Sequence, residues 1–139
     1  FMRIMALDVG TKRIGVAVSD ELLITAQGLE TIERNGLDRD LDVIRNLARE
    51  RLVSEIVVGL PLNMNGTHSA KTKEAIEFMD SLAKAVTLPV KMWDERLTSV
   101  EAERRLLEAD ISRAKRRRLS DKIAAQIILQ SYLDAGKRI

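Results

Sequence analysis

The feature that most constrains this chain is a change in the spacing of its apolar residues after Gly36. Before that point, short runs rich in Ile, Val, Leu and Ala predict strands over residues 3–9 and 13–19, joined by a turn as an antiparallel hairpin. A less regular third strand is predicted over residues 24–32. After Gly36, apolar residues recur every three or four positions over residues 37–48, which predicts a helix.

The rest of the chain alternates strands and helices. Strands are predicted over residues 55–60 and 89–93, and helices over residues 75–86, over 98–110 and from Ser120 onward. This order, βββαβαβαα, predicts an α/β fold with a mixed five-stranded sheet flanked by helices, because strands separated by helices pair in parallel through right-handed crossovers. No repeat or flexible linker interrupts it, so residues 2–139 are expected to form a single domain, with Phe1 an addition ahead of the native start.

Composition excludes several kinds of site. The chain has no cysteine, which rules out disulfides, thiolate metal sites and a cysteine nucleophile, and which favours a reducing compartment. No apolar run approaches the ~20 residues of a membrane helix, and no signal-peptide pattern opens the chain, so we expect a cytoplasmic protein with no membrane contact. A catalytic metal would need oxygen ligands or the single histidine.

Three carboxylates depart from the apolar pattern around them. Asp8 lies near the end of the first strand, Glu95 follows the last predicted strand, and Asp121 falls in the first turn of the last helix. If they converge at the carboxyl edge of the sheet, their oxygens suit Mg²⁺ or Mn²⁺, and two such ions about 4 Å apart can hydrolyse a phosphodiester. We therefore predict Asp8, Glu95 and Asp121 as catalytic, metal-binding residues.

Each acid also has a simpler interpretation. Asp8 could cap the following turn, and Asp121 is stabilised by the helix macrodipole wherever the helix packs. An exposed ion pair with Arg96 would explain the acids at 94 and 95. Because side chains alternate along a strand, at most one of Asp94 and Glu95 can face the side of Asp8.

Positive charge is concentrated before the last helix. The net charge is only +2, but residues 112–118 read Ser-Arg-Ala-Lys-Arg-Arg-Arg, with no acid among them. Such a run is often a solvated loop; placed just before Asp121, it would bind nucleic-acid phosphates with little sequence preference. The predicted nucleic-acid contacts are Lys12, Arg13, Arg96, Arg113, Lys115, Arg116, Arg117 and Arg118, although a plain hairpin turn explains Lys12 equally well.

Four blocks of the sequence together resemble the YqgF family: residues 7–17 (LDVGTKRIGVA), residues 58–61 (VGLP) with Gly66-Thr67, residues 94–98 (DERLT) and residues 121–125 (DKIAA). The resemblance covers nearly the whole chain in order. It implies a ribonuclease H-like fold, phosphodiester hydrolysis with divalent metal, and Asp8, Glu95 and Asp121 as the acidic site. Members are described as Holliday junction resolvases or as nucleases that process the 5′ end of pre-16S ribosomal RNA.

One departure separates these two activities. Junction resolvases of the same superfamily place an acid at the end of the fourth strand, where this chain has Gly59-Leu60-Pro61, although Glu95 could occupy equivalent space. Structured RNA is therefore ranked ahead of branched DNA as the substrate. Two other classes stay open, an actin-like ATPase, which would need a second such domain, and a non-catalytic RNA-binding assembly module. Homodimer formation, metal preference and the cleavage position are also open.

Overall fold

The computed structural model describes residues 2–98 and 120–136, with side chains from Ile123 onward in the second range. Six strands and three α-helices lie in these ranges. The strands are β1 (Ile4–Val9), β2 (Arg13–Ser19), β3 (Ala26–Gly28), β4 (Ile32–Glu33), β5 (Glu55–Leu60) and β6 (Val90–Asp94). The helices are α1 (Leu37–Glu50), α2 (Ala70–Ala85) and α3 (Ser120–Gly136), and a 3₁₀ turn covers Glu95–Leu97.

The strands form one mixed sheet in the order β3-β2-β1-β5-β6, with β4 also paired to β2. β1 and β2 are antiparallel, as the hairpin prediction required, whereas β1, β5 and β6 run parallel. The predicted α/β architecture is confirmed. The predicted third strand is instead two short strands, β3 and β4, because the register against β2 shifts by one residue between them.

Alternation along the central strands divides the core into two layers. Met5, Leu7, Ile56 and Val58 face α1 and α2, while Ile4, Ala6 and Val57 face α3. β1 and β5 are buried on both faces, which explains their nearly continuous apolar sequences.

Helix α3 also closes one edge of the sheet. The Gln130 side chain accepts a hydrogen bond from the backbone N–H of Ala26 at 3.1 Å and donates to the carbonyl of Ile24 at 2.9 Å. These contacts satisfy backbone groups of β3 and of the segment just before it that would otherwise be open to pairing with another strand. In the described residues, no helix is both long and apolar enough to span a membrane.

The predicted helix over residues 98–110 lies outside the described residues beyond Thr98 itself, which follows the 3₁₀ turn. The remaining predicted elements are present, β2 and β5 with the predicted ends and others with shifted ends. α2 begins at Ala70, five residues before its first predicted apolar position, because Ser69 caps the helix and forms a capping box with Thr72.

Candidate active site at the carboxyl edge of the sheet

A cavity of about 250 Å³ opens where the parallel strands end. Because β1, β5 and β6 run in the same direction, their carboxyl ends meet at one edge of the sheet. The residues that line this site cavity come from the end of β1, the turn after it, the segment after β5, the start of α2 and the 3₁₀ turn: Asp8, Val9, Gly10, Thr11, Pro61, Lys71, Glu74 and Glu95. Two of the three predicted carboxylates, Asp8 and Glu95, therefore lie in the same cavity.

The register of the sheet aims Asp8 into this position. Ile4 and Ala6 pack beneath α3, and alternation places Asp8 on the same face of β1. The turn that follows is tight, since the N–H of Gly10 donates to the carbonyl of Arg13 at 2.9 Å. A β-carbon on Gly10 would lie 2.7 Å from that carbonyl oxygen, so only glycine fits this turn unchanged.

Glu95 reaches the cavity across Gly59. A β-carbon built on Gly59 would lie 3.3 Å from Cδ of Glu95 and 2.5 Å from Cδ1 of Ile128 on α3. Because glycine has no side chain, position 59 leaves room for the Glu95 carboxyl group and for the packing of α3. The predicted departure from junction resolvases, Gly59-Leu60-Pro61, lies at the end of β5, and there the Glu95 side chain is beside Gly59.

The electrostatics of the cavity act most strongly on Glu95. Burial first, and then the negative charges of Asp8 and Asp94, raise the pKa of Glu95 to about 7, against a smaller opposing effect of the Lys71 ammonium. Two carboxylates thus lie close enough for one to disfavour ionisation of the other. A cation bound between the two carboxylates would reduce this repulsion.

Asp94 makes different contacts from those of Glu95. It accepts hydrogen bonds from the Arg96 side chain, from Nε at 3.1 Å and from Nη2 at 2.8 Å, and from the Arg96 backbone N–H at 2.9 Å. These bonds lower the pKa of Asp94. Arg96 also donates from Nη1 to the carbonyl of Met64 at 3.3 Å, which ties the 3₁₀ turn to the loop after β5. As the alternation argument required, only one of the two neighbouring acids joins Asp8.

Two charged residues of the site cavity were missed in the sequence, Lys71 and Glu74. Both are exposed residues near the start of α2. The polar face of an amphipathic helix carries many charges, and nothing in the spacing distinguishes those that face a cavity. Only the docking of α2 beside β5 shows which of them do.

The remaining predicted site residues either lie outside the described side chains or are exposed. Asp121 lies in the first turn of α3, but its side chain falls outside the described ones, as does the whole run from Arg113 to Arg118. Lys12 and Arg13 are exposed at the β1–β2 turn, where Arg13 Nε binds Glu33 Oε1 at 2.8 Å. Among the described side chains, no three His, Asp or Glu residues are placed to hold a metal ion together, so the predicted third ligand is not tested.

Comparison with known proteins gives close relatives over nearly the full chain. A protein of Syntrophomonas wolfei is 56% identical over 97% of this chain and 96% of its own length. One from Clostridium kluyveri is 52% identical over 96% of this chain and 97% of its own length. Both bear the name "Putative pre-16S rRNA nuclease".

Solved structures share the fold at low sequence identity. Thermus thermophilus RuvC in complex with a Holliday junction substrate superposes with a TM-score of 0.68 at 14% identity, covering 99% of this chain and 96% of that one. The fowlpox virus resolvase in complex with Holliday junction DNA gives a TM-score of 0.56 at 12% identity, covering 96% and 98%. These likenesses confirm the ribonuclease H-like fold.

The family model described as "RuvX: Holliday junction resolvase" matches residues 2–135. This match and the relatives above confirm the resemblance to the YqgF family. The chain belongs to this RuvX/YqgF family.

Proposed function

We propose that this protein is a cytoplasmic nuclease that hydrolyses phosphodiester bonds with divalent metal ions and processes the 5′ end of pre-16S ribosomal RNA. The observation that carries the proposal is the pairing of Asp8 and Glu95 in one cavity at the carboxyl edge of the sheet. The names of the relatives support the substrate, since pre-16S rRNA is named for proteins more than half identical to this one.

The donor set of the cavity fits Mg²⁺ or Mn²⁺. Its carboxylates offer oxygen ligands, which these ions prefer, and the raised pKa of Glu95 reflects a local excess of negative charge that a cation would neutralise. Asp8 and Glu95 would hold the metal, with Asp121 proposed as a third ligand from the first turn of α3. When bound, a pair of such ions supplies an activated water and stabilises the leaving oxygen of the phosphodiester.

The chain itself positions the substrate. The Lys71 ammonium lies in the site cavity with the two acids, where it can donate to a non-bridging phosphate oxygen. Asp94 and Arg96 hold the 3₁₀ turn that carries Glu95 against the loop after β5. The basic run from Arg113 to Arg118 would neutralise phosphates further from the cleaved bond, independent of sequence.

Cleavage of Holliday junctions is the second candidate, favoured by the description of the family itself. We rank it second because the relatives that are more than half identical to this chain are named for pre-16S rRNA. Glu95, beside Gly59, could take the place of the acid that junction resolvases carry at the end of this strand. A non-catalytic RNA-binding assembly module is the third candidate. It would need the basic run but not the acidic cavity.

One assay separates the three. The purified protein is offered a precursor 16S rRNA fragment and a four-way DNA junction of matched length, each with Mg²⁺, with Mn²⁺ and with chelator. Metal-dependent cleavage of the RNA, with the junction left largely intact, is the expected result. Preferential junction cleavage would reverse the ranking, and RNA binding with no cleavage under any metal would replace the nuclease by the assembly module. Size-exclusion chromatography of the same preparation tests for a homodimer.

A further inference from the structure

A second, larger cavity lies beside the site cavity, on the side of the sheet that carries α1 and α2. It has a volume of about 380 Å³ and shares Thr11 and Glu74 with the site cavity. We call it the α2 groove; its other lining residues include Arg34, Glu77, Phe78 and Ser81. From Glu74 to Ser81 it follows α2 for about 10 Å at the helical rise of 1.5 Å per residue. A volume of this size falls within the range of small-molecule sites.

Arg34 is held rigidly on one wall of the groove. Its Nε binds Asp40 Oδ2 at 3.1 Å, its Nη1 donates to the carbonyl of Gly10 at 3.0 Å, and its guanidinium carbon lies 5.3 Å from the centre of the Phe78 ring. Asp40 is 1% exposed, but 24% of the Arg34 side chain remains open to solvent. A guanidinium fixed in this way loses little conformational entropy when it binds a phosphate, and its fork geometry suits phosphate oxygens.

The lining of the groove also carries the other sign of charge. Glu74 and Glu77 are exposed residues of α2 that line the groove. Carboxylates repel phosphates but accept hydrogen bonds from hydroxyl groups. A groove lined by both a fixed arginine and carboxylates therefore suits a phosphate joined to a sugar that carries free hydroxyls. In RNA that hydroxyl is the 2′-OH, which DNA lacks.

We propose that the α2 groove binds the ribonucleotide next to the cleaved bond, with Arg34 holding its phosphate and Glu77 accepting a hydrogen bond from its 2′-hydroxyl. The position relative to the cleaved bond rests on the proposed nuclease function. Because Thr11 and Glu74 line both cavities, this nucleotide would lie next to the cavity that holds Asp8 and Glu95. The groove would then favour RNA over DNA at one defined nucleotide.

The test uses a small ligand that has no bond to be cleaved at the site and that cannot bind in several positions along a chain. The measured affinity therefore reports on the groove alone. Isotopically labelled full-length protein is titrated with a ribonucleoside 3′,5′-bisphosphate and, in parallel, with its 2′-deoxy analogue, in chelator. We expect shifts of the Arg34 Nε–H signal and of the Thr11 and Ser81 amides, and affinity for the deoxy analogue about tenfold weaker, as for loss of one hydrogen bond to a charged group. Shifts confined to other regions, or equal affinity for the two ligands, would overturn the proposal.

Variants assign the two contacts. Arg34→Met would leave the buried Asp40 carboxylate unpaired, so it is combined with Asp40→Asn, and Asp40→Asn alone serves as the folding control because it keeps Arg34. The double variant should bind the bisphosphate about tenfold or more weakly than Asp40→Asn alone, while the exposed Arg39→Ala should bind as wild type. Glu77→Ala should bind both sugars equally, whereas Asp80→Ala, an exposed acid on α2 outside the groove, should keep the ribose preference.

The results separate this inference from the nuclease proposal. Bisphosphate binding at Arg34 without cleavage in the RNA and junction assay would retain the groove as a ribonucleotide site and refute only the nuclease. Cleavage of RNA with wild-type binding in the double variant, or with the ribose preference intact in Glu77→Ala, would leave the nuclease and refute the groove.

Discussion

The carboxyl carbon of Glu95 would lie 3.3 Å from a β-carbon on Gly59, so the acid from the 3₁₀ turn lies beside the place where β5 has no side chain. Ile128 of α3 fills the rest of that space, since its Cδ1 would be 2.5 Å from the same β-carbon. A side chain at position 59 must therefore move the Ile128 side chain of α3 and press on the candidate catalytic acid. This gives the glycine a role in the geometry of the site.

Gly59→Ala should reduce metal-dependent cleavage and also destabilise the fold, by about 1–3 kcal/mol, as is usual when a methyl group is forced into a packed core. The matched control is Gly136→Ala at the end of α3, where a β-carbon meets nothing within 4 Å. Chemical denaturation gives the free energy of unfolding, and cleavage is measured well below the unfolding transition. Wild-type activity in Gly59→Ala would show that the position of Glu95 does not depend on this glycine.

Asp8→Asn should lower cleavage by orders of magnitude while the fold persists, because the amide keeps the size of the side chain but removes the charge that a metal ligand supplies. Stabilisation of the protein by Mg²⁺ or Mn²⁺, measured as the rise in Tm, should shrink in parallel. Asp38→Asn, on an exposed acid in the first turn of α1, is the control. If Asp8 only caps the turn, asparagine should serve almost as well, and cleavage would stay near wild type.

The pKa of Glu95 predicts a pH dependence of stability in metal-free protein. The folded state holds this carboxyl at a pKa of about 7, against 4.5 for an unperturbed glutamate, so between these values the folded state binds more protons than the unfolded one. The contribution of Glu95 to stability is therefore complete below about pH 4.5 and is lost as the pH rises toward 7.

Glu95→Gln should flatten this part of the profile of unfolding free energy against pH, and the exposed Glu50→Gln should leave it unchanged. Added Mg²⁺ should stabilise the wild type more at pH 7.5 than at pH 5, because the metal binds the ionised form. A profile that is the same for wild type and Glu95→Gln would contradict the raised pKa.

The basic run gives a prediction from sequence alone, since it lies outside the described residues. Replacing Arg116, Arg117 and Arg118 by alanine should weaken nucleic-acid binding across sequences and flatten the plot of log affinity against log salt by up to about two to three units. The control removes the same charge elsewhere, with alanine at Arg39, Arg51 and Lys84, exposed residues that do not line the site cavity. Equal slopes of log affinity against log salt for the two triple variants would show that the basic run does not contact nucleic acid and would favour the interpretation as a solvated loop.

The sequence determined the elements of this fold because their signals are local. The alternating apolar residues of the hairpin and the three-to-four spacing of α1 follow from which face each segment must bury, and β5 was predicted with its observed ends, Glu55 and Leu60. Residues 24–32 were harder, since the less regular pattern there hid a break between two short strands. Asp8 and Glu95 could be picked out because a carboxylate at the end of an apolar strand departs from a local pattern.

The tertiary structure decided what these residues do together. The convergence of Asp8 and Glu95 depends on the parallel pairing of β1, β5 and β6, which brings together residues 87 positions apart in the chain. No local pattern marks Lys71 as facing the cavity or Arg34 as locked onto a buried aspartate, since both look like ordinary charges on a polar surface. The sequence shows which residues are charged or polar. The burial of a charged group and its distance from other groups determine its pKa and its partner, and both are set only when the sheet and helices pack.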